Sequence, residues 1–202
     1  MKKIGLIIFL MTFGLNLFAQ DEHKTLFGNV DIKSGGYGGP EIKMTQVNGG
    51  EWGLLVGGRG GWIINSTLSL GGAGYGLVTN HKVPNYISIY GNVAYLRYGY
   101  GGLFLEYINS SDEIFHFTIN SLIGAGGAFY MNKANEIIYG NRDYSGFFVF
   151  EPGATVDINV LKNFRIGVGA TYRLISFLEL PHTSNKDIGG VSFSLILKFG
   201  SF

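Results

Sequence analysis

From Phe115 onward the chain alternates apolar with small or polar residues for longer than a globular strand runs. Phe115, Phe117, Ile119, Ile123, Ala125 and Phe129 occupy odd positions, and His116, Thr118, Asn120, Gly124 and Gly126 occupy even ones. A period of two sends successive side chains to opposite faces of an extended strand. Its persistence over residues 115–129 far exceeds the usual strand of about 5–6 residues. The pattern returns with Phe148, Phe150, Ala154, Val156 and Ile158 opposed by Glu151, Thr155 and Asp157. It returns again in Phe164, Ile166, Val168, Ala170, Tyr172 and Leu174, and in Val191, Phe193, Leu195, Leu197 and Phe199. One apolar face and one small, polar or charged face suit a barrel with lipid outside and a crowded polar lumen inside. A soluble barrel would turn the apolar face inward, and alternation alone does not separate the two. Strand length, 15% aromatic residues and only 14% charged residues favour the membrane.

The expected fold is all-β, an eight-stranded antiparallel up-and-down transmembrane β-barrel. Its strands are read at residues 34–47, 51–64, 67–79, 93–108, 113–130, 145–159, 163–178 and 187–202. The connections support the count. Those at 65–66, 109–112 and 160–162 are tight, whereas those at 80–92, 131–144 and 179–186 are longer; Asn48-Gly49-Gly50 is the one short outer connection. Short periplasmic turns, longer outer loops and both termini on the periplasmic side go with an even strand number.

Met1-Lys2-Lys3 followed by an apolar run to Leu15 and by Leu17-Phe18-Ala19 reads as a signal peptide cleaved after residue 19. Residues 20–33 are then a periplasmic lead-in, and 34–202 the barrel. Mean hydropathy is +0.21, yet past that leader no apolar run approaches the ~20 residues of a spanning helix. The 33 glycines have no period of three and accompany only 4 prolines, which excludes collagen. Fifteen Lys+Arg against 14 Asp+Glu create no basic field for nucleic acid, and zero Cys excludes disulfides and thiolate chemistry.

An eight-stranded lumen is just wide enough for side chains to fill, so inward charges are expected to pair. A turn near residue 162 sets Glu151 beside Arg173; one near 49–50 sets Glu41 by Arg59; one near 111 sets Glu106 by His116. The structural role of these six as a lumen plug outweighs a proton relay or ion path. Glycine clusters such as Gly57-Gly58-Arg59-Gly60-Gly61 and Gly71-Gly72-Ala73-Gly74 lack the following helix of a phosphate loop, and read instead as steric room for closing a narrow barrel. Tyr37, Tyr75, Tyr98, Tyr100, Trp52, Trp62 and Tyr172 are candidates for interface girdles.

With its leader, long alternating strands, loop asymmetry and terminal Lys198-Phe199-Gly200-Ser201-Phe202, the chain resembles small outer-membrane barrels of the OmpA transmembrane domain and OmpX type. The Phe18-Ala19-Gln20 cleavage region and the Gly- and Tyr-rich strands are also similar to barrels of the Bacteroidota type. The resemblance implies residence in the outer membrane, contact with its lipid and insertion by the barrel-assembly machinery, with Phe202 as the insertion signal. Phe202 is out of phase with Val191 to Phe199, so a bulge or frayed end is expected at Gly200-Ser201. Some barrels of this size modify lipid A. The residues available for that chemistry are His182-Thr183-Ser184 with Glu179 or Asp187, and more loosely His116-Phe117-Thr118. Neither His81 nor His182 has a second ligand at metal spacing.

The expected function is therefore that of a monomeric barrel without cofactor or metal. It acts structurally or by contact with an extracellular ligand through loops holding His81, Lys82, Lys133, Glu136, Arg142, Asp143, His182 and Lys186. The alternative is a lipid A-modifying acyl hydrolase.

Overall fold

The computed structural model describes residues 33–87, 93–132, 134, 137 and 144–202. The expected leader at 1–19 and nearly all of the lead-in at 20–33 lie outside the described residues. Strands run over β1 Ser34–Val47, β2 Glu51–Ile64, β3 Leu68–Leu77, β4 His81–Ile87, β5 Val93–Ile108, β6 Phe115–Met131, β7 Tyr144–Leu161, β8 Phe164–Ser176 and β9 Gly190–Ser201. Every pairing is antiparallel, and β1 pairs with both β2 and β9 while β3 pairs with β5. The circuit β1-β2-β3-β5-β6-β7-β8-β9 closes on itself as an eight-stranded barrel. β4 stands outside that circuit and pairs only with the first residues of β5.

The alternation is realised as two faces. Outward positions include Met44, Val56, Leu70, Leu103, Ile119, Val156, Val168, Leu174 and Phe193, all well exposed. Inward positions include Glu41, Lys43, Arg59, Glu106, Glu151, Asp157, Arg173 and Lys198, each at most 4% exposed. This is the reverse of a water-soluble protein, in which large apolar side chains fill the core.

The two prolines within barrel strands sit where a neighbouring ladder is interrupted. The β1–β9 register passes from Gly38↔Phe199 to Glu41↔Ile196, stepping over Pro40. The β7–β8 register passes from Phe150↔Leu174 to Gly153↔Thr171, stepping over Pro152. Proline has no N–H for a ladder on that side.

Two expected loops contain structure. β3 stops at Leu77, and after a bend at residues 78–80 the chain resumes as β4, inside the connection expected at 80–92. Between β8 and β9 a one-turn helix, α1 (Asn185–Ile188), precedes the last strand, which therefore starts at Gly190 and not at 187. Local hydrogen bonds explain the turn: Ser184 N and Oγ both donate to Asp187 Oδ2, and Asp187 N donates to Ser184 O, as in a capping box.

At the loop end the lumen is closed by Val47, Leu55, Leu77, Leu96, Tyr130, Phe147 and Ile188. Toward the turn end a smaller group of Tyr37, Ile63, Ile108 and Ile196 packs with Phe202. Phe202 stays in phase with the inward residues because the β1–β9 register is unshifted as far as Gly36↔Ser201. No bulge intervenes. Its ring stacks on Tyr37, with centroids 6.2 Å apart, and the last outward aromatic is Phe199, on Phe164 at 4.8 Å.

Candidate functional site

Barrel register brings the inward charges of distant strands into one network between these two apolar groups. Glu151 of β7 receives Lys43 Nζ of β1 at 2.5 Å, Tyr100 Oη of β5 at 2.6 Å and Thr171 Oγ1 of β8 at 2.9 Å. Arg173 Nε lies 3.7 Å from the same carboxylate. The Arg173 guanidinium also donates to Tyr98 Oη at 3.1 Å, to Ser192 Oγ at 3.1 Å and to Thr45 Oγ1.

A second cluster lies on the turn side. Glu41 accepts from Tyr75 Oη at 2.6 Å and faces Arg59 Nε at 3.5 Å. Arg59 also reaches Glu106 at 3.9 Å and donates to Thr155 Oγ1 at 3.3 Å. Tyr37 donates to Glu106, and Lys198 Nζ bridges Glu106 at 3.4 Å and Asp157 at 3.0 Å. Lys43 lies 3.7 Å above the Tyr75 ring, and Arg59 is 4.8 Å from the Phe104 centroid. A charge held this deep costs a great deal unless it is paired and hydrogen-bonded, and the tyrosines and threonines complete those shells.

Of the expected pairs, Glu151 with Arg173 and Glu41 with Arg59 are brought together. Glu106 and His116 are not. The β5–β6 register sets Glu106 opposite Asn120, because the connection over residues 109–114 is longer than a tight turn and moves the turn centre from near 111 to near 113. His116 instead faces Asp157, at 3.9 Å, and Arg165, whose Nη1 lies 3.4 Å from His116 Nε2. The girdle expectation also divides. Trp52, Trp62 and Tyr172 are outward and about half exposed, whereas Tyr37, Tyr75, Tyr98 and Tyr100 are buried in the lumen. Sequence reading assigned no lumen partners to Lys43, Asp157, Arg165 and Lys198. Period two places each of them on the inward face, but their partners belong to strands far away in the chain.

At the loop end the hydroxyl and imidazole groups are engaged structurally. The Ser184 hydroxyl donates to Asp187 Oδ2 at 2.8 Å, while the His182 ring packs on Tyr86 with centroids 5.5 Å apart. A different hydroxyl, imidazole and carboxylate do meet. His81 Nδ1 is 2.8 Å from Glu51 Oε2, and its Nε2 is 2.8 Å from Thr79 Oγ1. Thr79 Oγ1 also accepts from Leu54 N at 3.0 Å, while Val78 N donates to Leu54 O at 2.9 Å. The threonine side chain thereby replaces a ladder carbonyl at the bend after β3. His81 is 5% exposed, and a Cβ on Gly53 would come within 2.8 Å of its Nε2. Packed so closely, the trio clamps the bend and leaves no room for a substrate beside the ring. Among the described residues no three His, Asp or Glu side chains gather as a metal site.

No protein-family model matches the sequence, and no curated protein matches it. Solved structures do resemble the fold. Neisserial surface protein A is similar over 83% of this chain and 95% of its own, with 13% identity and a TM-score of 0.52. Looser likenesses are to Ail, the attachment invasion locus protein of Yersinia pestis (83% of this chain, 97% of its own, 12% identity, TM-score 0.49), and to the outer membrane protein OprG from Pseudomonas aeruginosa (83%, 94%, 11%, 0.47). At such identity the likeness is one of fold.

Proposed function

We propose that the protein is an outer-membrane β-barrel with a closed lumen, which works at the cell surface through its loop end. The observation that carries this reading is the inverted distribution of polarity. Leu103 and Leu105 of β5, Ile119 of β6, Val156 of β7, Val168 of β8 and Phe193 of β9 face outward, while among the described residues nine charged Lys, Arg, Asp and Glu side chains are buried within. In water such a surface would aggregate; in lipid it is the surface a barrel requires. Trp52, Trp62 and Tyr172 suit the headgroup boundaries.

The lumen favours a plug over a pore. Its carboxylates are held by Lys43, Arg59, Arg173 and Lys198, and apolar groups close it above and below. A steady ion path would require several of these buried pairs to separate together, each at a cost of several kcal/mol. The surface role then falls to the loop end, where His81, Lys82, His182 and Lys186 lie; Lys133, Glu136, Arg142 and Asp143 are outside the described residues. With the lumen plugged, these loops are read as meeting an extracellular ligand, and the chain as inserted as a monomer by the barrel-assembly machinery. Among the described residues the acyl hydrolase finds no favouring geometry, since Ser184 caps α1 and His182 is turned toward Tyr86.

Membrane fractionation with heat-modifiable gel migration tests the location: the folded barrel is expected in the outer membrane, and recovery in the soluble periplasm refutes it. Planar-bilayer recording tests the lumen, where large steady openings would refute the plug.

A further inference from the structure

The buried charges of the barrel do not balance. Among the described residues, Lys43, Arg59, Arg165, Arg173 and Lys198 are buried against only Glu41, Glu106, Glu151 and Asp157. Four of these five cations have a carboxylate at 2.5–3.9 Å. Arg165 is the exception. It is 6% exposed, yet no carboxylate among the described residues lies within 4 Å of it. Asp157, the acid next to it in the network, is 3.0 Å from Lys198.

Arg165 lines a polar vestibule of about 310 Å³ at the turn end of the barrel. The β2–β3 turn supplies Ser66 and Thr67 to its wall, and the β5–β6 connection supplies Ser110 and Ser111. The guanidinium is aimed rather than loose. Its Nη2 donates to Ser111 O and Ser111 Oγ, both at 3.0 Å, and the Phe202 ring covers its face at 3.9 Å. His116 Nδ1 lies 3.4 Å from Glu113 O; with the ring proton there, Nε2 accepts from Arg165 and supplies no counter-charge. Nε–H of Arg165 has no partner among the described residues.

The hydroxyls around it are arranged as donors. Ser111 Oγ already accepts from Arg165, and Ser110 Oγ accepts from Asn109 Nδ2 at 3.1 Å. Each oxygen so occupied keeps its own proton to give elsewhere. Ser66 and Ser110 also hold left-handed backbone (φ 53° and 52°), a conformation that non-glycine residues adopt at a cost. A fixed cation with a spare donor, facing hydroxyl protons in a polar recess, is complementary to a negatively charged oxygen ligand.

We propose that this vestibule binds a small oxyanion, a carboxylate or phosphate group, with Arg165 as its counter-charge and the Ser110 and Ser111 hydroxyls as further donors. Asp112, exposed on the rim, opposes the ligand and sets its affinity low. The site needs only the barrel. That it opens to the periplasm rests on the outer-membrane reading, so binding is measured on purified protein, where location plays no part.

The experiment is calorimetric titration of the full barrel in detergent with inorganic phosphate and with acetate, at constant ionic strength in chloride. Saturable binding of either anion at one site is expected. It should weaken at least about ten-fold in Arg165→Gln, the loss of a charged hydrogen-bond donor, and tighten in Asp112→Asn. Heat-modifiable migration confirms that each variant is folded; should Arg165→Gln not fold, Ser110→Ala and Arg165→Lys carry the test by weakening binding less. No saturable binding of either anion, or binding that these substitutions leave unchanged, overturns the proposal.

Discussion

Lys43 Nζ lies 2.5 Å from Glu151 Oε1 across 108 residues of sequence, and both side chains are 1% exposed. β1 and β7 are not neighbours in the sheet, so the pair ties together strands that no ladder joins. Glu151 also holds Arg173, and its removal leaves two buried cations without that counter-charge. Glu151→Ala is expected to cost about 3–5 kcal/mol, the typical penalty for breaking a buried pair from one side. Urea unfolding followed by tryptophan fluorescence reads that loss. Lys43→Met should cost clearly less, because Glu151 keeps Arg173, Tyr100 and Thr171.

Adjacent glycines in β1 offer a test of why this barrel needs so many. A Cβ on Gly39 would lie 1.8 Å from Leu197 O of β9, whereas one on Gly38 would meet nothing within 4 Å. The inward residue sits where two backbones approach on the tightly curved wall; the outward one faces open space. Gly39→Ala should therefore prevent closure of the β1–β9 seam and abolish the compact, heat-modifiable gel band. Gly38→Ala should leave that band in place, and equal tolerance at both positions would refute the steric account.

What was legible in the sequence followed from period and what was not followed from register. The strand ranges 34–47, 51–64 and 93–108 coincide with β1, β2 and β5, because alternation is a local property that each strand displays alone. Cross-strand partners depend on turn length as well. Moving one turn centre from near 111 to near 113 shifted the residue opposite Glu106 from His116 to Asn120. The same limit hid Lys43–Glu151 and Lys198–Asp157, whose strands are distant in the chain. Arg165 was visible as an inward residue, but its lack of a carboxylate emerged only once every other pair was set. β4 was missed because the clamp that starts it joins Glu51 of β2 to Thr79 in the bend and His81 of β4, both far from it in the chain.

That clamp has its own expected signature. Thr79→Val keeps the shape but removes both the acceptor for Leu54 N and the contact with His81 Nε2. The loss should be local, about 1–2 kcal/mol for a broken hydrogen bond that leaves a partner unsatisfied. Hydrogen exchange should accelerate at Leu54 and Val78 and stay unchanged in β6 to β8. A global drop in protection would show that the bend supports the whole barrel.

Leu103 decides between lipid and water outside the barrel. It is 66% exposed on the outward face near the middle of β5. On a protein bathed in water, replacing so exposed a leucine by arginine changes stability by no more than about 0.5 kcal/mol. On a lipid-facing wall the same change costs roughly 2–4 kcal/mol near the bilayer midplane and falls toward the interfaces. Leu103→Arg in lipid vesicles is expected to show the larger loss by denaturant titration. Glu113→Arg, in the β5–β6 connection beyond the wall, should show almost none. A depth-dependent penalty arises only if the hydrocarbon region of a bilayer surrounds these strands.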